Sequence, residues 1–179
     1  MDIPLEKYYR LVAPRPTILV SSIDEKETPN AAPMSYVMPI ETSPPVLAFS
    51  TSYSSDTYKN ISDTEEFVVN ITTEEMLDQV YACGKSLPRS ENELEKVGLE
   101  SEPSEKVKPP RIVDSPANIE CKLEWMKKED SCVVIAGRVV NVNADDGVLK
   151  DNKLNVEEVK PLLHLSGRSF VIGDRRTEV

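Results

Sequence analysis

Residues 119–142 read IECKLEWMKKEDSCVVIAGRVVNV and carry the clearest β pattern in the chain. The second half of this stretch, residues 132–142, is rich in β-branched side chains and leads toward an Asp-Asp-Gly turn at 145–147. The first half shows the period-two alternation of a strand with one apolar face and one mostly polar face. Its apolar positions are Ile119, Cys121, Leu123 and Trp125.

Short elements surround this stretch. Residues 17–23, 46–49 and 67–71 combine branched apolar side chains with flanking turn residues, which predicts three further strands. Capping boxes formed by Thr72 with Glu75 and by Ser90 with Glu93 predict the starts of two helices. A third short helix is predicted from Thr57 to Ile61, and Asn155 is predicted to cap a fourth that runs through Val159.

The remaining segments predict connections and one further strand. The proline-rich stretch at 101–110 predicts an exposed loop, and residues 162–172 predict one extended segment. The sequence contains 14 prolines, which favour many short elements. The expected architecture is therefore a mainly β, antiparallel fold with short helices, organised as a single domain over residues 1–179.

Composition excludes several functional classes. The formal net charge is −10, whereas a nucleic-acid binder needs a cationic surface to meet phosphate. No apolar run reaches the roughly 18 residues that a membrane span requires, and residues 1–6 lack the features of a signal peptide. We therefore expect a cytoplasmic protein with neither a nucleic-acid partner nor a membrane partner. The three cysteines are far apart and are predicted to be buried free thiols.

Side-chain catalysis leaves recognisable clusters, and the common ones are missing. The sequence holds no glycine-rich dinucleotide or P-loop motif and no Gly-x-Ser-x-Gly element. His164 is the only histidine, so a zinc site or a catalytic triad would have to be assembled around one residue. If the protein is an enzyme, its reactive centre is expected to be a cofactor and no metal is expected.

Residues 50–60, STSYSSDTYKN, suggest where a phosphate could be held. They follow a predicted strand and precede a predicted helix, and hydroxyls and free N–H groups at a helix start can surround an anion. Lys59 could supply a positive charge. The alternative is a serine-rich loop whose hydroxyls only cap the helix.

Residues 30–36, NAAPMSY, form a second candidate site. Small side chains and a proline allow a flat ring to approach the backbone, whose N–H groups could bond to the ring's heteroatoms. The alternative is an ordinary turn.

Taken in order, these segments resemble the flavin reductase-like family, also called flavoredoxin-like, whose members share an FMN-binding split β-barrel. The resemblance extends over nearly the whole chain. It rests on PRPT at 14–17, NAAPMSY at 30–36, PVLAFS at 45–50, DTYKNI at 56–61, EFVVN at 66–70, IECKL at 119–123, GRVV at 137–140 and HLSG at 164–167.

The resemblance implies roles for particular residues. The isoalloxazine ring and ribityl chain of FMN would lie along Asn30, Ala32, Pro33, Met34, Ser35 and Tyr36. The phosphate would be held by Ser50, Thr51, Ser52, Thr57 and Lys59. His164, with Gly167 and Arg168 beside it, would lie near the flavin edge that a nicotinamide approaches, although its apolar surroundings also suit a hydrogen-bonded core histidine. The chain departs from the family at Ser55, where relatives often have lysine, so Lys59 or Arg15 would meet the phosphate charge.

The implied function is that of an FMN-dependent oxidoreductase that uses NADH or NADPH and forms a homodimer. Hydride transfer to a flavin needs alignment more than a side-chain acid or base, which agrees with the missing catalytic cluster. Two alternatives stay open at this point. The protein could be an FMN-holding electron carrier reduced by a redox protein partner, or a β-barrel binding module without flavin.

Overall fold

The computed structural model describes residues 2–85 and 87–179. Its helices are α1 Asp56–Thr64, α2 Leu77–Ala82, α3 Glu93–Val97 and α4 Val156–Val159, with short 3-10 helices at Leu5–Arg10 and Glu74–Met76. None of the helices in these described residues is long and apolar enough to cross a membrane. The strands, numbered in chain order, are β1 Arg15–Pro16, β2 Ile18–Ile23, β3 Pro29–Met34, β4 Val37–Thr42, β5 Pro45–Ser52, β6 Glu66–Ile71, β7 Ser101–Glu102, β8 Arg111–Ile112, β9 Ala117–Lys128, β10 Cys132–Ala144, β11 Leu149–Lys150, β12 Lys153–Leu154, β13 Leu162–Ser166 and β14 Ser169–Ile172.

Seven antiparallel strands build the main sheet in the spatial order β3-β2-β6-β9-β10-β5-β4. The two longest strands, β9 and β10, pair with each other near its centre, as the pattern at 119–142 predicts. Strands β3 and β4 lie at opposite ends of this order, yet only Ser35 and Tyr36 connect them. Because so short a link cannot span an open sheet, the sheet curls until its two ends meet as a barrel.

Because of a β-bulge in β9, the prediction that Trp125 lies on the inner, apolar face of this strand is wrong. Ala136 on β10 lies opposite Trp125 and Gly137 opposite Leu123, so Glu124 is an extra residue. One extra residue reverses the alternation beyond it. Met126 therefore packs against the barrel core, whereas Trp125 is 41% exposed.

The barrel interior is filled by aliphatic side chains around one aromatic pair. The rings of Phe49 and Phe67 meet edge to face with their centroids 5.4 Å apart. Gly137 lies against them so closely that a Cβ there would stand 2.3 Å from the Cζ of Phe67. The other members of this buried cluster are Ile18, Val20, Met34, Leu47, Ile61, Val69, Cys121, Val133 and Ile135.

A second layer of helices covers the outer side of β2 and β3. Val80 of α2 and Leu94 of α3 pack with Leu19 and Ala31 of these strands, and Leu162 of β13 joins the same buried cluster. This packing brings the end of α2 and the C-terminal strands to the side of β3.

The helix starts differ from the predicted ones. The hydroxyl of Thr72 donates to the carbonyl oxygen of Thr17 at 2.8 Å and caps no helix, so the first capping box is wrong. The second is also wrong, because Asn92 and not Ser90 caps α3 by accepting the N–H groups of Leu94 and Glu95. Helix α1 runs longer than predicted, from Asp56 to Thr64.

The predicted C-terminal strand and one predicted loop are also corrected. Residues 162–172 form a hairpin and not one extended segment, because Gly167 turns the chain at φ +56°. Strand β13 also pairs with β1, which sets Arg15 opposite His164. Residues 101–110 begin with β7, which pairs with β8.

The thiols follow the prediction in part. Cys83 and Cys121 are free and buried, whereas Cys132 is partly exposed. Burial, with a smaller contribution from the Glu93 charge, raises the pKa of Cys83 to about 12. Burial, with the nearby Glu120, raises the pKa of Cys121 to about 12 as well. These two cysteines are therefore packing residues and not nucleophiles.

Candidate functional site

A cavity of about 250 Å³ opens between the end of β3, the end of α2 and the β13–β14 hairpin. Apolar side chains form most of its wall, and a few polar groups face it, which is typical of a small-molecule site. The lining residues are Thr17, Pro33, Met34, Ser35, Val80, Tyr81, Gly84, Lys85, His164, Gly167 and Phe170.

Two hydrogen bonds hold His164 in this wall. Its Nε2 lies 3.3 Å from the carbonyl oxygen of Gly167, which can only accept, so Nε2 carries the proton. In the neutral ring, Nδ1 then accepts the hydroxyl hydrogen of Ser35 across 3.1 Å. The structure thus favours a cavity residue over a core histidine, and His164 orients the Ser35 hydroxyl.

Thr17 contributes a hydroxyl without a partner. Its side chain lines the cavity and is only 5% exposed, and its Oγ1 makes no hydrogen bond to any described residue. An unsatisfied buried polar group costs about 1–3 kcal/mol, so such groups usually have an occupant to pair with. Thr17 therefore places an unsatisfied hydroxyl, itself shielded from the open space, beside the cavity.

The residues predicted to lie along a flat ring belong to β3 and the link that follows it. Asn30 to Met34 pair with β2, so this segment is a strand and not an isolated turn. Pro33, Met34 and Ser35 line the cavity, whereas Ala32 packs against the barrel core. Tyr36 is half exposed and stacks on the guanidinium of Arg15, 5.1 Å from its ring centroid.

The serine-rich segment, residues 50–60, lies beside the end of residues 30–36. The N–H of Ser50 donates to the carbonyl oxygen of Tyr36 at 3.0 Å, which joins the two predicted segments. Ser55 caps α1 by accepting the N–H of Tyr58, as the simpler interpretation of this loop expects. The hydroxyl of Thr51 donates to Ser55, and Ser52 and Ser54 bond to each other in the exposed part of the turn.

Thr57 and Asn30 meet in the interior. Thr57 is 1% exposed, and its hydroxyl lies 3.1 Å from the Asn30 amide. With the amide turned to satisfy both of its ends, its oxygen accepts from Thr57 and its nitrogen donates to Glu93, also 3.1 Å away. Glu93 accepts the N–H of Ala31 as well, and its burial raises the pKa of its carboxyl. This network fixes the start of β3 against α1 and α3.

Lys59 lies on the exposed side of α1. Its ammonium pairs with Asp56 at 3.1 Å, and its side chain is 43% exposed. Arg15, the other cation considered for a phosphate, is buried and donates to the carbonyl oxygen of Tyr9 at 2.8 Å.

Sequence reasoning favoured a helix-end packing role for residues 83–85, and it missed Tyr81 on the α2 side of the cavity. Tyr81, Lys85 and Phe170 line it, but they belong to an amphipathic helix end and to a hairpin strand whose patterns indicate only packing. Their position depends on how α2 and the hairpin dock on β3, which no local motif encodes.

Comparison with known proteins identifies the fold family. The family model of the flavin reductase like domain matches residues 9–173. The chain belongs to the flavin reductase-like family. An uncharacterized protein of Aquifex aeolicus is 37% identical over 167 residues, which cover 90% of this chain and 85% of that protein.

Solved structures of the family are similar over almost the whole chain. Nitrilotriacetate monooxygenase component B from Bacillus cereus is 26% identical, with a TM-score of 0.89 and coverage of 99% of this chain and 95% of that one. The 2-nitrobenzoate 2-nitroreductase NbaA of Pseudomonas fluorescens is 27% identical, with a TM-score of 0.87 and coverage of 99% and 91%. This likeness confirms the predicted split barrel and the predicted family.

Proposed function

We propose that this protein binds FMN and acts as an oxidoreductase that takes electrons from NADH or NADPH. The observation that carries the proposal is the cavity beside β3, whose mostly apolar wall includes Pro33, Met34 and the ring residues Tyr81, His164 and Phe170. A flavin or nicotinamide ring offers both a flat apolar face and polar ring atoms, which match such a cavity. A flavin reductase-like fold and oxidoreductase relatives support the same class of function.

The residues present fit FMN in two places. Pro33, Met34 and Ser35 offer a flat surface and backbone groups on the cavity side of β3. Thr51 and Ser52 offer hydroxyls that are otherwise bonded only to neighbouring serines, at the start of the nine-residue helix α1. The first N–H groups of a helix have no partner within it, so they favour a phosphate there.

The remaining predicted residues would act at the edges of this site. Lys59 would reach a phosphate from the exposed side of α1, and Ser50 would contribute next to Tyr36. Thr57 and Asn30 would support the site from behind, because their polar groups face each other in the interior. Bound FMN would supply reversible two-electron chemistry. His164 would keep the Ser35 hydroxyl pointed along the cavity wall.

A homodimer is part of the proposal. Large apolar side chains are exposed on β4 and just before it, namely Tyr36, Met38 and Ile40. The N-terminal 3-10 helix exposes two more, Leu5 and Tyr8. Exposed apolar side chains of this size commonly mark contacts between proteins. The matching measurement is the molar mass in solution, which would be twice the 20.0 kDa of one chain. A cytoplasmic location and a single domain over residues 1–179 stay predictions.

Anaerobic mixing tests the function directly. The FMN-loaded protein is expected to lose its oxidised flavin absorbance when NADH or NADPH is added. A protein that binds FMN but stays oxidised with both donors would be an electron carrier reduced by a redox partner. Failure to bind FMN at all would leave only a binding module without flavin, and the proposal would be wrong.

Thr17→Val tests the site with effects of opposite sign. Without FMN, removal of the unpartnered hydroxyl is expected to leave the free energy of unfolding unchanged or raised. With FMN, the Thr17 hydroxyl would turn toward the ligand and pair with it, and loss of this hydrogen bond is expected to weaken binding about tenfold, which corresponds to about 1.4 kcal/mol. Equilibrium titration by flavin fluorescence and urea unfolding measure the two quantities.

The matched control is Ser115→Ala. The Ser115 hydroxyl is bonded to the carbonyl oxygens of Ile71 and Ala117, away from the cavity. This control is expected to lower stability without changing FMN affinity. An unchanged FMN affinity in Thr17→Val would remove Thr17 from the site.

A further inference from the structure

Arg15 carries a positive charge in the interior of the protein. Its side chain is 9% exposed, and its guanidinium donates to the carbonyl oxygens of Tyr9 and Leu165 and lies on the ring of Tyr36. Its Nε makes no hydrogen bond to any described residue. Within the described part of the chain no carboxylate pairs with Arg15, whereas Arg138 has such a partner. Charged side chains are almost never buried without a partner of opposite charge, so this position calls for an explanation.

Strand pairing turns the side chain of Arg15 toward the cavity side of its sheet. In the sheet formed by β1, β13 and β14, Arg15 lies opposite His164, and His164 lies opposite Phe170. Residues directly opposite each other in antiparallel strands share a face, with Cβ atoms about 4.5–5.5 Å apart. Because His164 and Phe170 line the cavity, Arg15 is the third member of a row that faces the same way.

The link between β3 and β4 separates Arg15 from the open space of the cavity. Ser35 lines the cavity and bonds to His164, and the next residue, Tyr36, lies against the guanidinium of Arg15. Arg15 itself is not among the lining residues. Its charge therefore reaches a bound ring through space, from behind the wall that Ser35 and His164 form.

The charge of Arg15 is poorly screened and is not cancelled by the cavity wall. No Asp or Glu is among the described residues that line the cavity, and the hydrogen bonds of His164 fit a neutral ring. Lys85 also lines the cavity, but it is exposed, so water and salt screen its charge more strongly than that of a buried group.

Reduction changes the charge of a flavin ring. A hydride carries two electrons and one proton, so its transfer from a reduced nicotinamide to a neutral ring adds one negative charge. A fixed positive charge behind the wall favours the reduced ring over the oxidised one. Two opposite unit charges separated by two strand spacings, about 10 Å, change the reduction equilibrium roughly tenfold at an effective dielectric constant of about 20.

We propose that Arg15 raises the reduction potential of bound FMN, because its buried charge stabilises the reduced, negatively charged ring. The neutral oxidised ring gains no comparable stabilisation, so Arg15 acts on the difference between the two redox states. This assigns Arg15 to the flavin ring and not to the phosphate. The inference rests on the proposed function, because it requires the flavin ring to occupy the cavity.

Redox titration of the FMN-loaded protein, followed by visible absorbance, tests the inference. Arg15→Met removes the charge at similar length and is expected to lower the midpoint potential by about 30 mV, the equivalent of a tenfold change for a two-electron couple. Arg15→Gln removes the charge but keeps N–H donors, and the same shift is expected. Arg15→Lys keeps the charge and is expected to keep the potential of the parent.

Two further measurements separate the charge from a structural role. Fluorescence titration is expected to show nearly unchanged affinity for oxidised FMN in all three variants. Urea unfolding without FMN is expected to show a loss of stability in Arg15→Met, because the carbonyl oxygen of Tyr9 loses its donor. The matched control is Arg10→Met, since Arg10 is exposed and lies on the ring of Tyr9. This control is expected to leave the potential unchanged.

Three results would overturn the inference and leave the proposed function intact. An unchanged potential in Arg15→Met and Arg15→Gln would make Arg15 a structural residue that holds the N-terminal 3-10 helix. An equal loss of affinity for both redox states of FMN, with riboflavin binding retained, would place Arg15 at the phosphate. A potential lowered equally in Arg15→Lys would assign the effect to geometry and not to charge. A parent protein that does not bind FMN would contradict the proposed function itself.

Discussion

Gly137→Ala is expected to lower the free energy of unfolding by about 3 kcal/mol, the upper end of the usual range for overpacking a core. The new Cβ would lie 2.3 Å from the Cζ of Phe67, 2.7 Å from its Cε1 and 2.9 Å from the Cβ of Cys121. Phe67 is fully buried and is held edge to face by Phe49, so its ring cannot move aside. Cys121 is fixed by its own strand. Urea unfolding monitored by circular dichroism measures the loss.

A double-mutant cycle separates the clash from other effects. Phe67→Leu shortens the side chain that the new Cβ meets, although it also removes buried surface. The double variant Gly137→Ala/Phe67→Leu is therefore expected to be more stable than the sum of the two single losses indicates. A free energy of unfolding for Gly137→Ala within about 0.5 kcal/mol of the parent value, the typical range for a surface substitution, would contradict this prediction. The close approach of Gly137 to Phe67 would then not limit the residue type at position 137.

Glu120→Gln is expected to destabilise the protein by about 2 kcal/mol at pH 7, because it leaves a buried donor facing another donor. The side chain of Glu120 is fully buried. Its Oε1 accepts the N–H of Glu105 and the amide of Asn141, both at 3.0 Å, and its Oε2 accepts the N–H of Lys106 at 2.6 Å. A glutamine of the same shape must turn its NH₂ group toward at least one of these donors.

The same variant should alter the response to acid. Burial alone would raise the pKa of Glu120, but the two backbone N–H groups, Asn141 and the charge of Arg111 together hold it below the ordinary value of 4.5. A lowered pKa in the folded state means that the carboxylate stabilises the fold above pH 4.5 and loses this contribution as the pH falls through the folded value. The stability curves of parent and variant are therefore expected to converge below pH 4.5.

Urea unfolding at pH 7 and at pH 3 measures both effects. Glu100→Gln is the matched control, since Glu100 is exposed and forms no ion pair among the described residues. The control is expected to leave the stability at pH 7 unchanged. A constant difference between parent and Glu120→Gln at both pH values would contradict the assigned cause.

Strands could be predicted from the sequence wherever branched apolar residues form a short continuous buried run. β2, β6 and the central part of β5 are buried runs of branched residues, and the prediction placed them correctly. The pattern of β9 failed beyond Leu123, because a bulge changes which face a residue occupies without changing local composition. The capping boxes failed for a related reason. The hydroxyl of Thr72 bonds to Thr17, which lies between β1 and β2, and the carboxylate of Glu93 bonds to Ala31 of β3. Neither side chain bonds to its own helix.

The candidate site was only partly visible in local patterns. The segments at 30–36 and 50–60 were singled out from residue type, and the fold joins them through Ser50 and Tyr36 and through Asn30 and Thr57. The pairing of Ser35 with His164 spans 129 positions in the chain, and no spacing rule predicts it. Tyr81 gave no functional signal, because its local pattern is that of an ordinary helix end.

The sequence by itself determined the antiparallel β class, the short helices and the absence of the common side-chain catalytic motifs, because each depends on residue types over a few neighbouring positions. Tertiary structure alone decided which residues face the cavity. The barrel closes between β3 and β4, and α2 and the C-terminal hairpin then dock on β3 through a shared buried cluster. That docking joins distant parts of the chain by non-directional apolar packing, so it leaves no periodic trace in the residues that it brings together.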